Sequence, residues 1–203
     1  MVFWIGILAG GAFAWFAIKM GFYETWTMLF NIVISIYLAV FLGLVIADIV
    51  PSAGDTLYGN ALCMLAVAIG SFLILHGISY TFLTGQFVIS FPKIFDTLGT
   101  GFLGFLAGFL IWSFVGLLIY ATPISQQPIV KEIGFGSQFQ QTNVGYISWW
   151  CNLVNSVVSS QDKKQTTEEA ISGLLKSAEK KAQGKTAEQA EPNDVEAGIT
   201  GED

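Results

Sequence analysis

The sequence predicts an all-α, polytopic integral membrane protein with four transmembrane helices, an interfacial helix and a disordered tail. Three observations support this prediction. Hydrophobic residues make up 53% of the chain and charged residues only 12%, whereas globular proteins carry about 25% charged residues. Four apolar stretches each approach the ~20 residues that a helix needs to cross a bilayer. Most of the charged residues follow the last of these stretches, where the composition turns polar.

Short segments with charges or helix breakers separate the four predicted spans. Lys19 follows the first span, and Pro51 and Gly54 lie in the loop after the second. The fourth span opens at Asp96 and carries no charge after it. A carboxylate at that position favours the helix dipole and can cap the N-terminus of its own helix. The spans are predicted at residues 2–18, 26–47, 61–83 and 97–121.

The fourth span carries mostly small residues at a four-residue spacing, which predicts that they share one face of the helix. In lipid, small residues let two backbones approach closely and therefore form typical packing surfaces. We expect this face to contact another helix of the same chain, with contact to a second copy of the chain as the alternative. The positions are Thr100, Gly104, Gly108, Trp112, Gly116 and Tyr120.

The placement of the lysines predicts the orientation in the membrane. Lys19 lies between the first two spans and Lys93 between the last two. The loop between the second and third spans contains Asp48 and Asp55 but no lysine. Cytoplasmic loops carry the excess of positive charge. Both termini are therefore predicted to be extracytoplasmic in a multi-pass protein.

The chain after the fourth span divides into a loop, a short amphipathic helix and a tail. Residues 122–165 are predicted as an extracytoplasmic loop that contains a helix at residues 146–158. Apolar positions in that helix follow the i, i+3, i+4, i+7 pattern, and tryptophan favours the membrane surface, which indicates an interfacial helix. Residues 166–203 are predicted as a polar, solvated helix and a disordered acidic tail. The apolar positions are Tyr146, Trp149, Trp150, Leu153, Val154 and Val157.

One ionisable residue, His76, lies within the third span. Such a residue is a candidate functional site, and the alternative is a neutral histidine that hydrogen-bonds to a neighbouring helix. Asn31 and Ser35 lie at a similar depth in the antiparallel second span, and Tyr80 shares a helix face with His76. These four residues are the candidate intramembrane polar site.

The composition excludes several classes of function. Two cysteines and one histidine are too few for a typical metal site, and we expect no metal or other cofactor. No hydrolase motif or phosphate-binding loop occurs, which favours a protein that is not an enzyme. The chain has no basic patch for nucleic acid. Cys63 and Cys151 are predicted on the same oxidising side, either joined by a disulfide or as two free thiols.

Two short stretches resemble the colicin V production protein family (CvpA). The segment KMGFYE at residues 19–24 is similar to the family's turn after the first span, with Gly21 after a basic residue and Glu24 soon after it. Asp96, followed by Gly104 and Gly108, resembles its last-span pattern of an aspartate and glycines four apart. The resemblance covers roughly residues 1–121. Thr97 and Ala107 stand where the family usually has basic residues.

The resemblance implies a bacterial inner-membrane protein linked to colicin V production and to envelope upkeep, without an agreed biochemical activity. We therefore expect a non-enzymatic scaffold for toxin production, secretion or envelope homeostasis. Its expected partners are the lipid bilayer, a membrane or periplasmic protein, and a second copy of the chain. The alternative is a small channel or transporter subunit, in which His76, Asn31, Ser35, Ser71 and Tyr80 line a polar path.

Overall fold

The computed structural model describes residues 2–49, 58–84, 92–122, 124, 130, 132, 134–158 and 168–176. Within these ranges the secondary structure is helical and contains no strand, which confirms the predicted all-α class. Four helices are long and apolar enough to cross a membrane. The disorder predicted for the end of the chain lies outside the described residues. The helices are α1 (Val2–Met20), α2 (Phe22–Ile49), α3 (Gly59–Ser79, continued by a π-helical turn, Tyr80–Thr84), α4 (Lys93–Tyr120), α5 (Ser137–Val158) and α6 (168–176).

A single non-helical residue, Gly21, separates α1 from α2. Its φ of +99° lies in the left-handed region, which glycine adopts without the steric penalty of a side chain. The Gly21 N–H donates to the Ala17 carbonyl at 3.2 Å, as in a common helix C-terminal motif. Because this turn is so tight, α2 begins at Phe22, four residues before the start predicted for the second span.

The helices pack in the order α3, α2, α4 and α1, so that α2 and α4 are central. α1 contacts mainly α4, and α3 contacts mainly α2. α5 lies along α4 and α2 and contributes the fully buried Ile147 and Cys151 to the core. Lipid supplies no hydrogen bonds to a backbone, so continuous helices are the form in which such apolar segments satisfy their peptide groups.

α5 begins at Ser137, within a stretch that the sequence predicts as a polar loop. α5 is therefore longer than the helix predicted at residues 146–158. Its local composition does not favour the added turns, and side-chain contacts to α4 explain them. The Asn143 side-chain amide donates to the Ser113 carbonyl at 2.7 Å, and the Tyr120 hydroxyl donates to the Gly136 carbonyl at 3.4 Å. The helix therefore starts where contacts to the end of α4 become available.

The predicted apolar face of α5 is divided between the bundle and the surface. Tyr146, Trp150 and Val154 are partly buried against the core, whereas Trp149 and Val157 are exposed. Packing of α5 along the sides of α4 and α2 explains this division, because one edge of its apolar face is covered by protein. The other edge remains available to lipid.

α6 is not the solvated helix that the sequence predicts. Ala170, Ile171 and Leu174 are buried and belong to the same core cluster as residues of α2 and α4. Their i, i+1, i+4 spacing forms a narrow apolar stripe on a helix whose other residues are mostly polar. Burial of this stripe fixes the helix to the bundle, although its overall composition suggests solvation.

Candidate functional site

Residues of the two stretches that carry the family resemblance meet at one end of the bundle. The Asp96 carboxylate accepts a hydrogen bond from the Phe22 backbone N–H at 2.8 Å. Asp96 therefore caps the N-terminus of α2 rather than that of its own helix, where Pro92 is the N-cap residue without a side-chain bond. Gly21 lies beside the carboxylate, since a Cβ added there would stand 3.8 Å from an Asp96 oxygen. A carboxylate at a helix N-terminus satisfies a free N–H and favours the helix dipole.

Glu24, one turn into α2, lines a cleft of about 130 Å³ together with His76 of α3. Ser79, Tyr80 and Met28 also line this cleft. The His76 imidazole stacks on the Phe72 ring, with centroids 5.5 Å apart and an interplanar angle of 11°. The cleft thus holds a carboxylate and an imidazole near the ends of two predicted spans.

His76 does not form the predicted hydrogen bond to Asn31 or Ser35. The Asn31 carbonyl oxygen of the side chain instead accepts from the Ser79 hydroxyl at 3.1 Å. The Ser35 hydroxyl donates to the Asn31 backbone carbonyl at 2.6 Å. Serine hydroxyls in membrane helices commonly satisfy themselves in this way, by bonding one turn back. The structure therefore groups His76 with Glu24, while Asn31 joins α2 to α3.

The small residues of α4 contact two different helices rather than one. A Cβ at Gly104 would lie 3.0 Å from the Ala14 Cα, and a Cβ at Gly108 would lie 3.0 Å from the Ala9 carbonyl oxygen, both on α1. A Cβ at Gly116 would instead lie 2.9 Å from the Asn143 amide of α5. At 3.6 residues per turn, each four-residue step rotates about 40° around the helix, so positions far apart in this series no longer share a face.

Thr100, at the start of the same series, is completely buried. Its hydroxyl donates to the Asp96 backbone carbonyl one turn earlier. This bond satisfies the hydroxyl within α4, so Thr100 can pack in an apolar environment as a residue of modest size.

α1 carries a matching set of small residues that the sequence interpretation overlooked. A Cβ at Gly6 would lie 2.7 Å from the Trp112 ring, and a Cβ at Gly10 would lie 2.8 Å from the Phe105 ring. Gly6, Gly10 and Ala14 are spaced four apart. The same spacing rule that singled out α4 therefore identifies α1 as the complementary surface.

Cys63 and Cys151 are both free thiols in the structure. Cys151 is buried between α5 and the bundle, whereas Cys63 on α3 is partly exposed. Burial raises the pKa of the Cys151 thiol to about 12. A neutral thiol behaves as a small apolar group, which suits this position in the core.

The geometry offers no group of three or more metal-ligating side chains within the described part of the chain. Comparison with protein-family models, with curated proteins and with solved structures finds no match. The resemblance to the colicin V production family stays a prediction, and it rests on Gly21, Glu24, Asp96 and the two glycines of α4.

Proposed function

We propose that this chain is a non-enzymatic scaffold, similar to the colicin V production proteins, which binds a protein partner within a bacterial inner membrane. Its role would lie in toxin production and secretion or in envelope homeostasis. The observation that supports this proposal is the uneven burial of the four apolar helices. In their most apolar windows, α2 and α4 bury 56% and 50% of residues, whereas α1 and α3 bury 22% and 17%.

The exposed sides of α1 and α3 provide the surface for such a partner. Leu73 and Ile74 on α3 are 63% and 65% exposed, and Trp4 on α1 is 69% exposed. Lipid solvates these side chains in a monomer, but a partner helix would pack against them by dispersion and close contact. A second copy of this chain is one such partner, and a different membrane protein is the other.

Site-directed photo-crosslinking in native membranes tests the scaffold. A photoreactive residue at Leu73 or Ile74 should give one discrete protein adduct, whose identity mass spectrometry establishes. The matched control is the same substitution at Leu117, which is fully buried on α4 and should crosslink only within the chain. Adducts to lipid alone at every exposed position of α1 and α3 would refute the proposal.

The proposed orientation places the α1–α2 turn and the α3–α4 connection in the cytoplasm and both termini outside it. Single cysteines at Tyr23, Gly54 and Ser137, in a chain whose two native cysteines are replaced, test this orientation with an impermeant thiol reagent on spheroplasts. Gly54 and Ser137 should label, and Tyr23 should not. The reverse labelling would invert the orientation, since the positive-inside rule is its only basis.

The cleft beside His76 and Glu24 supports a second proposal, a small channel or transporter subunit. Intramembrane ionisable groups frequently mark ion or proton pathways. Purified protein in liposomes should then conduct an ion or a proton, and His76→Ala should abolish the flux. A scaffold should show no flux in either form.

A further inference from the structure

A second cavity, an apolar groove, adjoins the cleft that holds Glu24 and His76. The groove has a volume of about 390 Å³ and opens between α2, α3 and α4, with Phe13 of α1 at its side. Its wall presents only apolar atoms. Ser35 is the one residue in the wall with a side-chain hydroxyl, and that hydroxyl is turned to the Asn31 carbonyl.

The groove and the cleft form one continuous, amphipathic surface. Met28 lines both of them. Phe72 lines the groove and stacks on His76, which lines the cleft. Along α2 the shared surface runs from Glu24 through Met28 and Ile32 to Ile36, a length of roughly 18 Å at 1.5 Å per residue. One end is therefore ionisable and lies at the helix termini, and the other end is apolar and lies toward their middle.

The charged groups near this end leave Glu24 and His76 available to a ligand. The Lys19 ammonium lies 3.7 Å above the Trp15 ring, and the Asp96 carboxylate accepts from the Phe22 N–H. Glu24 and His76 are both exposed. The cleft is thus lined by one residue with a carboxylate and one with an imidazole, which complement a ligand that carries one positive and one negative group.

We propose that the groove and the cleft together bind one aminophospholipid. Its acyl chain lies in the groove, its ammonium donates to the Glu24 carboxylate, and its phosphate accepts from the His76 imidazole. The chemistry of the surface favours a lipid over a partner helix. The apolar wall of the groove suits a hydrocarbon chain, and the ionisable cleft at its end suits a charged headgroup. A transmembrane helix is predominantly apolar along its length and supplies no such charged end.

A lipid competition measured by native mass spectrometry tests this site. The delipidated full chain is offered phosphatidylethanolamine and phosphatidylcholine with identical acyl chains. Wild type should retain one ethanolamine lipid in preference to choline lipid, because a primary ammonium has three N–H donors and a trimethylammonium group has none. Glu24→Gln should reduce this preference on the order of tenfold, as expected for one charge-assisted hydrogen bond.

The other parts of the site have their own variants. His76→Ala should reduce the retention of both lipids by the same factor, because both lipids carry the phosphate. Val115→Trp, which fills the groove from its partly exposed wall, should abolish retention of both. The matched control is Leu98→Trp, an exposed position on α4 outside both the groove and the cleft, which should retain lipid as wild type does.

Two results would overturn the proposal. In the first, wild type retains the two lipids equally, and Glu24→Gln and Val115→Trp leave this retention unchanged. Lipid would then bind around the bundle without a specific site. A photoreactive residue at Val115 that captures a protein rather than a phospholipid in native membranes would assign the groove to a protein partner.

Discussion

The α1–α4 and α2–α3 interfaces show two different ways of joining apolar helices. Between α1 and α4 the backbones themselves are in contact, since a Cβ at Gly104 or Gly108 would stand only 3.0 Å from main-chain atoms of α1. Between α2 and α3 a Cβ at Gly43 would lie 2.7 Å from the Met64 Cγ, and the nearest main-chain atom, the Met64 Cα, would be farther away at 3.3 Å. A methionine side chain can change rotamer, whereas a helix backbone cannot move without its helix.

This difference explains where the molecule is open. The α1–α4 contact combines close backbones with the Phe105 and Trp112 rings, which lie against Gly10 and Gly6 of α1, and it leaves the outer side of α1 exposed. α3 is held by side chains and by the Ser79–Asn31 hydrogen bond, with little contact to α4. The groove lies in the gap that this arrangement leaves between α3 and α4. Close packing therefore gives stability on one side, and loose packing gives a binding surface on the other.

The largest effect is expected when the rigid interface is overfilled. Gly104→Leu and Gly108→Leu should each destabilise the protein by about 3 kcal/mol, the upper end for overpacking, because the obstructing atoms belong to the α1 backbone. That loss is a large part of a typical stability of ~5–15 kcal/mol. Thermal unfolding in detergent and the amount of inserted protein measure it.

Two matched variants sharpen the same test. Gly11→Leu on α1 should behave as wild type, since a Cβ there meets nothing within 4 Å. Gly43→Leu should cost less than Gly104→Leu, because the Met64 side chain can move away. If Gly11→Leu unfolds while both α4 variants remain stable, the assignment of the α1–α4 contact is wrong. If the α4 variants stay folded but lose a crosslinked dimer, the glycines join two copies of the chain.

A smaller effect is expected at the turn that links the rigid pair to α2. Asp96→Ala should cost about 1–2 kcal/mol, the usual loss for an N-cap side chain, because the Phe22 N–H is left without its acceptor. Asp96→Asn should recover part of this loss, since an amide oxygen still accepts. Thr97→Ala, at the exposed neighbouring position, is the control. Equal melting temperatures for Asp96→Ala and Thr97→Ala would show that the capping bond contributes nothing.

The general fold could be predicted because it depends on span length and composition, which are local properties of the sequence. The position of Asp96 near a helix start was also visible, but its partner was not, because Phe22 lies far away along the chain. The prediction that the small residues of α4 share one face is wrong. Each four-residue step from Gly104 to Gly116 adds about 40° of rotation around the helix. The prediction for α6 is wrong because its composition is mostly polar and does not reveal the burial. Three apolar side chains, among them Ile171, hold the helix only when the bundle is present to cover them.

The residues of the candidate polar site divide in the structure for a similar physical reason: His76 and Tyr80 line the cleft, whereas Asn31 accepts a hydrogen bond from Ser79. Depth in the membrane, the criterion used to pair His76 with Asn31, does not specify which side of a helix a residue occupies. Ser79 is three residues further along α3 and faces Asn31. His76 faces the cleft with Glu24 instead. Glu24 belongs to the family-like segment, and no local signal in the sequence connects it to the third span.

The α2–α3 interface should respond weakly when its polar bond is removed. Ser79→Ala and Asn31→Ala form a double-mutant cycle, for which we expect a coupling free energy of about 0.6 kcal/mol, the average for such bonds in membrane proteins. The Asn31 amide nitrogen has no hydrogen-bond partner among the described residues. Asn31→Leu combined with Ser79→Ala removes this amide without leaving the Ser79 hydroxyl unpaired, so the double variant should be nearly neutral. A coupling above ~2 kcal/mol would mean that α3 is held as firmly as α1.

The two thiols compare a partly exposed position on α3 with a buried position on α5. Thiolate is the reactive species, and burial raises the Cys151 pKa to about 12. At about pH 8 an alkylating reagent should therefore modify the partly exposed Cys63 and leave Cys151 intact until the protein unfolds. Mass spectrometry of the alkylated peptides gives both rates. Equal rates in the folded protein, or a Cys63–Cys151 disulfide on non-reducing gels, would contradict this prediction.

The same pKa shift predicts how stability depends on alkaline pH. Folding favours the protonated Cys151 thiol, so its contribution is complete below the unfolded pKa of 9.0 and decreases as pH rises toward 12. Wild type should lose more stability over that interval than Cys151→Ala, which has no proton to release. Cys63→Ala, at a partly exposed position, is the control and should follow the wild-type curve. If Cys151→Ala follows it as well, the thiol is not buried in the folded protein, and α5 is not packed on the bundle in the way that the structure describes.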